Sequence, residues 1–137
     1  MSEVGPLTFL LLKNMPFIRN FQRSFRNAFK GIKEAFLEQV FRTLFVTAVI
    51  VGVSLLVFPF EPLERAVLFL VIVLVLSLEL VNSQIERILD ILRPDYCEEV
   101  RKMKDISAGA VLVASIGSVI IGVIIILPYL RELIEKF

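Results

Sequence analysis

The chain has 137 residues, of which 57% are hydrophobic, and its formal net charge at pH 7 is +1. This apolar fraction exceeds the roughly 45–50% of ordinary soluble domains and predicts a membrane protein, while the near-neutral charge gives no reason to expect a nucleic-acid partner. The sequence contains no histidine and one cysteine, Cys97, which excludes histidine general bases, histidine-ligated zinc and an intrachain disulfide.

The first predicted element is an amphipathic helix over about residues 15–40. At ~100° per residue, its aromatic and aliphatic side chains fall within an arc of about 120°, and five basic side chains between Arg19 and Lys33 fall on the other side. A helix with a basic polar face suits the anionic surface of a membrane. Alternatively, the apolar stripe packs on the other helices, and the two arrangements are compatible.

Three apolar segments follow, and they predict membrane-spanning helices at about 41–59, 65–90 and 106–130. The second segment reaches the ~20 residues that a span requires only by including Glu79 and Asn82. Lys and Arg number seven in residues 1–42 and five in 86–105, but one in 60–65 and two in the tail. This bias predicts a cytoplasmic N-terminus, a cytoplasmic 86–105 segment and a C-terminus outside.

The third predicted span carries small residues at a spacing of four: Ala110, Ala114, Ser118 and Gly122. A small-residue face lets two membrane helices approach closely, although a general excess of small residues in such helices would give the same pattern. Because three helices enclose little volume, a buried polar site is expected to need a second subunit. The predicted fold is an all-α membrane protein forming a single domain over 1–137, with three spans and one surface helix.

A row of polar residues near the end of the second span is the candidate functional feature. With Glu79 at 0°, Asn82 lies near −60°, Glu86 near −20° and Asp90 near +20° at ~100° per residue. The four side chains therefore share a face about 80° wide and ~16 Å long. Because an ionisable group within a span costs at least ~2.5 kcal/mol, this face needs partners or a bound cation.

Three hypotheses fit this carboxylate face. Lys104 and Asp105 are predicted at the same membrane level as Glu86, and Glu38 lies upstream in the sequence. A set of carboxylates with one lysine favours binding of Mg²⁺ with a polyphosphate, and therefore a phosphoryl-transfer reaction. The same acids could instead line an ion or proton pathway, or act only in assembly. Neither GxxxxGK[ST] nor GxGxxG occurs in the sequence, so a nucleotide would be held by metal and basic side chains rather than by a glycine loop.

Two stretches at matching spacing, "ELVNSQIERILD" (79–90) and "YCEEVRKMKDISAGAVLVASI" (96–116), resemble the prokaryotic diacylglycerol kinase family, which includes the undecaprenol kinases. The upstream "AFKGIKEAFLEQVFR" (28–42) resembles the N-terminal helix of that family, whereas Cys97 stands where the family usually has histidine. The resemblance implies a homotrimeric lipid kinase of the bacterial inner membrane, with active sites shared between subunits. It implies ATP as donor, Mg²⁺ as cofactor, and diacylglycerol or undecaprenol as acceptor.

The resemblance also implies a role for each polar residue. Glu79 would be the general base at the lipid hydroxyl, and Asn82 would position groups beside it. Glu38 and Glu86 would hold the Mg²⁺ that bridges the ATP phosphates. Lys104 would neutralise the γ-phosphate. The residues that would lie near the nucleotide are Asp90, Asp95, Tyr96, Cys97, Lys104 and Asp105.

Overall fold

The computed structural model describes residues 16–93 and 97–135, and the regular structure in these ranges is entirely helical. Three of the helices are long and apolar enough to cross a membrane, which confirms the predicted all-α class and the three predicted spans. The chain divides into two compact units, with the boundary between Leu37 and Glu38. The helices in chain order are α1 (Pro16–Ala35), α2 (Gln39–Val57), α3 (Pro62–Leu92) and α4 (Glu98–Glu135).

Helix α1 is amphipathic, as predicted, but it is shorter than the expected 15–40. It ends at Ala35, and residues 36–38 form a turn before α2 begins. Glu38 is therefore the N-cap residue of α2, and not a residue of the amphipathic helix as the sequence suggested. The apolar side of α1 is exposed at four large side chains: Phe21, Phe25, Phe29 and Ile32.

Helix α3 is central to the second unit, because it packs against both α2 and α4. It begins with Pro62 at the first helical position, where the missing N–H of proline would have no partner anyway. The Glu64 carboxylate closes this end by accepting the backbone N–H of Glu61 at 2.9 Å. The helix then runs for 31 residues, and at ~1.5 Å per residue this length exceeds the ~30 Å apolar layer of a bilayer.

One stripe along α3 forms the buried core, and its chemistry changes along the helix. The stripe begins with Leu68, which is 1% exposed, and continues through Val75. It then becomes polar, although it stays on the same helical face. The buried side chains of α3 in order are Leu68, Val75, Glu79, Asn82 and Ser83. The packing that buries the apolar half therefore also encloses the polar residues of the predicted site.

An aromatic cluster joins the far end of α4 to the connection between α2 and α3. The Tyr129 hydroxyl donates a hydrogen bond of 2.6 Å to the Glu64 carboxylate. The ring of Tyr129 lies edge-on to Phe60, with centroids 4.6 Å apart, and Phe60 is buried. This end of the molecule is opposite the carboxylate face, because Glu64 and Glu79 are separated by about four turns of α3.

The small residues of α4 border a groove rather than a close helix contact. Ser118 and Gly122 line an apolar groove of about 150 Å³, together with side chains from α2 and α3. A Cβ atom at Gly122 would meet no other atom within 4 Å. The close helix approach that the small-residue spacing predicts is therefore not made at Gly122 within this chain.

Candidate functional site

The C-terminal half of α3 and its neighbours form one cleft that gathers the predicted catalytic carboxylates. Glu79, Asn82 and Glu86 reach it from α3, and Glu38 reaches it from the N-cap of α2. Side chains of α4, including Val111 and Ser115, form another wall. The cleft has a volume of about 580 Å³. It unites the predicted base, the predicted positioning residue and both predicted metal ligands.

Glu79 is buried inside a single chain, with 4% of its surface exposed. The expectation that burial of this site needs a second subunit is wrong for Glu79, because α2 and α4 already cover this face of α3. Its carboxylate is close enough to Glu38 and Glu86 to be repelled by both. No hydrogen bond found within 16–93 and 97–135 involves this carboxylate, so both oxygens can accept one from a bound molecule.

Glu38 is held by α3 rather than by its own helix. Its backbone adopts the extended N-cap conformation, but its side chain makes no capping hydrogen bond. Instead, Oε2 accepts a hydrogen bond from the Ser83 hydroxyl, and Oε1 forms an ion pair of 2.9 Å with the Arg87 guanidinium. Each carboxylate oxygen can accept more than one contact. Both oxygens of the Glu38 carboxylate therefore contact side chains of α3.

Sequence reasoning missed Ser83 and Arg87, although helical periodicity contains the signal. With Glu79 at 0°, Ser83 lies near +40° and Arg87 near +80° at ~100° per residue, beside the carboxylate face. Both contact Glu38, which is 45 and 49 residues away in sequence. Only the packing of α2 on α3 brings these residues together.

Asn82 links the middle of the site to Glu86. Its Nδ2 donates a hydrogen bond of 3.3 Å to Glu86 Oε1. Its Oδ1 is the one buried side-chain nitrogen or oxygen atom in the described ranges without a hydrogen-bond partner. A buried unsatisfied amide oxygen costs about 1–3 kcal/mol, so this oxygen is an open acceptor position for a ligand in the cleft.

The residues predicted to contact a nucleotide do not all lie together. Lys104 Nζ pairs with Asp90 Oδ1 at 2.5 Å, one turn beyond Glu86 on α3, and the described lining of the cleft does not include this pair. Cys97 is a half-buried free thiol at the start of α4, and Asp105 is exposed on α4. Asp95 and Tyr96, which were also predicted to lie near the nucleotide, fall outside the described residues.

The donor atoms of the cleft suit a hard cation. Carboxylate oxygens from Glu38 and Glu86 and the unpaired Asn82 Oδ1 are the oxygen ligands that Mg²⁺ prefers. Among residues 16–93 and 97–135, no three acidic or cysteine side chains converge as a complete metal cage. Mg²⁺ usually binds through one or two carboxylates plus water and phosphate oxygens, so this donor set fits Mg²⁺ that arrives with a polyphosphate.

The sequence is similar to one protein family and to two individual relatives. The family model described as prokaryotic diacylglycerol kinase matches residues 26–126. A diacylglycerol kinase from Synechocystis sp. is 42% identical over 114 residues, which make up 80% of this chain and 64% of that protein. The undecaprenol kinase of Bacillus subtilis is 34% identical over 114 residues, or 82% of this chain and 93% of that protein. The chain thus spans just under two thirds of the Synechocystis relative. It belongs to the prokaryotic diacylglycerol kinase family.

Proposed function

We propose that this chain is an ATP- and Mg²⁺-dependent lipid kinase that transfers the γ-phosphoryl group to a lipid hydroxyl. The family supports this activity, since its relatives are named diacylglycerol kinase and undecaprenol kinase. The acceptor is diacylglycerol, giving phosphatidic acid, or undecaprenol, giving undecaprenyl phosphate. ATP and the acceptor lipid are the substrates.

One observation carries the proposal for a lipid acceptor. The carboxylate cleft and the apolar groove between α2, α3 and α4 share two lining residues, Leu44 and Ser115. The polar cleft therefore borders an apolar groove within the membrane-spanning part of the chain. A lipid tail in the groove would place its hydroxyl beside Glu79, which is the geometry that phosphorylation of a membrane alcohol requires.

In this mechanism Glu79 is the general base. It accepts the proton of the lipid hydroxyl as the hydroxyl oxygen forms a bond to the γ-phosphorus. At the same time the bond between the γ-phosphorus and the β–γ bridging oxygen breaks, and ADP leaves with the bridging oxygen. The proton then passes from Glu79 to solvent. Asn82 holds Glu86 and positions groups beside Glu79. Most of the rate enhancement comes from in-line positioning and charge neutralisation rather than from covalent chemistry.

The remaining polar residues bind and orient the donor. Mg²⁺, held by Glu38 and Glu86, would neutralise charge on the phosphates. Lys104 supplies a positive charge for the γ-phosphate and is held at the end of α3 by Asp90. The segment that contains Cys97 and the start of α4 binds the rest of the nucleotide.

We also propose that the protein is a homotrimer in the bacterial inner membrane, with the N-terminus in the cytoplasm and the C-terminus outside. The excess of Lys and Arg in 1–42 and 86–105 supports this orientation. Chemical cross-linking in native membranes should stop at three subunits. A thiol reagent that does not cross the membrane should label a cysteine placed at Glu135 from outside.

The central experiment measures transfer of labelled phosphate from ATP to diacylglycerol and to undecaprenol, side by side, with purified protein in lipid nanodiscs. Glu79→Gln should lower the turnover number by about 10²-fold or more, which is the usual contribution of a general base. The matched control is Glu135→Gln, an exposed carboxylate at the end of α4, which should keep full activity. Full activity in Glu79→Gln would refute the assignment of the base. Ion flux that needs Glu79 but not ATP would favour the pathway hypothesis instead.

A further inference from the structure

Arg87 is the cation that the structure pairs with the carboxylate cleft. Within residues 16–93 and 97–135, it is the one basic side chain that forms an ion pair with a carboxylate of the cleft lining. The proposed reaction does not use it. Its side chain is 45% exposed, and that of its partner Glu38 is 28% exposed. The pair therefore lies at the rim of the cleft rather than in its buried interior.

The carboxylates of the cleft favour a nearby cation. Glu38, Glu79 and Glu86 line the same cleft, and Glu79 is repelled by the other two. Arg87 neutralises Glu38 and so removes part of this repulsion when no other cation is bound. Ser83 contributes a hydrogen bond to the other Glu38 oxygen but no charge, so orientation and neutralisation of Glu38 come from different residues.

The same pairing conflicts with the role of Glu38 as a metal ligand. A divalent cation on Glu38 would lie close to the guanidinium, and two like charges this close repel each other. Exposed ion pairs are weak, so a half-exposed arginine can leave its partner at a small cost in free energy. Ser83 would continue to orient the carboxylate after Arg87 had left.

A guanidinium released at this rim has a clear alternative partner. Its planar set of N–H donors matches the oxygens of a phosphate group and can bind two of them at once. We propose that Arg87 is an exchangeable counterion: it neutralises Glu38 in the metal-free cleft, and it moves to a phosphate oxygen of the nucleotide when a divalent cation binds Glu38. This inference rests on the proposed function, because that function supplies the phosphate.

The decisive test uses electron paramagnetic resonance to measure how tightly Mn²⁺ alone binds to the full chain in nanodiscs without nucleotide. Arg87→Met removes the competing charge and should tighten Mn²⁺ binding about fivefold or more. Arg87→Lys keeps the charge and should stay within about twofold of the parent protein. A purely structural role for Arg87 predicts the opposite, because loss of a supporting contact would weaken the site.

A matched control separates this effect from a general change of charge. Arg65 is exposed at the opposite end of the same helix. Arg65→Met should therefore leave Mn²⁺ binding unchanged. If Arg87→Met fails to give a monodisperse helical protein, Arg87→Gln replaces it and should also tighten Mn²⁺ binding. Unchanged or weaker binding in the folded neutral variant would overturn the proposal.

The second half of the proposal concerns the nucleotide. Arg87→Met should raise the KM for MgATP about tenfold while lowering kcat much less, and Arg87→Lys should recover part of the loss. An unchanged KM would overturn the transfer of Arg87 to phosphate. The Mn²⁺ titration needs no turnover. If the parent protein has no kinase activity but Arg87→Met still binds Mn²⁺ more tightly, the proposed function is refuted. The same result would support the inference that Arg87 competes with the cation for Glu38.

Discussion

Substitution of Ser83 tests whether the contact between α2 and α3 sets the geometry of the cleft. The Ser83 side chain is 4% exposed, and its hydroxyl donates to the Glu38 carboxylate. Ser83→Ala removes this donor without adding volume or charge. A hydrogen bond to a charged group contributes about 1.5–3 kcal/mol. Because the Glu38 side chain is partly exposed, the lower end of this range applies.

This magnitude corresponds to about a tenfold loss, since ~1.4 kcal/mol is one power of ten in affinity. Mn²⁺ binding to the Ser83→Ala protein should therefore be about tenfold weaker, within the range usual for residues that orient a metal ligand. The assay is the Mn²⁺ titration in nanodiscs. Ser77→Ala is the matched control, because Ser77 lies on the same helix, on the face opposite Glu79, and is exposed. Equal Mn²⁺ affinity in both variants would refute the reasoning that Ser83 orients Glu38.

Two further predictions concern contacts outside the cleft. Tyr129→Phe keeps the ring but removes the 2.6 Å hydrogen bond to Glu64, so the thermal midpoint should fall by a few degrees with KM unchanged. An unchanged midpoint would show that this bond adds no stability. Lys104→Met should raise the KM for MgATP, because it removes a positive charge proposed for the γ-phosphate. It should leave Mn²⁺ binding unchanged, because Lys104 pairs with Asp90 and the described lining of the cleft does not include it. Lys102→Met, in an exposed helix pair, is its silent control, and weakened Mn²⁺ binding in Lys104→Met would contradict the separation of the two clusters.

The opposite effects expected for Ser83→Ala and Arg87→Met follow from the chemistry of the two contacts. Both residues bind the same carboxylate, but only Arg87 carries a charge that competes with a cation. Removal of the neutral donor disturbs the direction of Glu38, whereas removal of the guanidinium leaves an uncompensated carboxylate. Measured together, the two variants separate orientation from electrostatics at one side chain.

The arrangement of α3 explains how a membrane helix carries a polar site. Its buried stripe is apolar at Leu68 and Val75 and polar from Glu79 onward. Packing of apolar side chains in the first half sets the position of the helix against α2 and α4. The polar half lies on the same face, so the contacts that stabilise the fold also place the carboxylates in the cleft.

The sequence alone determined the all-α class, the three spans and the common face of Glu79, Asn82 and Glu86. These features are local, since they depend on hydropathy over about 20 residues and on a helical period of ~100° per residue. The same period of ~100° per residue places Gln84 near 140° from Glu79, away from this face, and Gln84 is exposed. The motif spacing was sufficient to indicate the family.

Tertiary structure decided the features that depend on contacts between distant residues. Amphipathic periodicity could not show that α1 ends at Ala35, which makes Glu38 the N-cap of α2 and turns its carboxylate toward Ser83 and Arg87. Nor could it show that one chain buries Glu79, because burial depends on how α2 and α4 pack around α3. Helical periodicity fixes the direction of a side chain around the helix axis. Packing between helices determines which residue that side chain contacts.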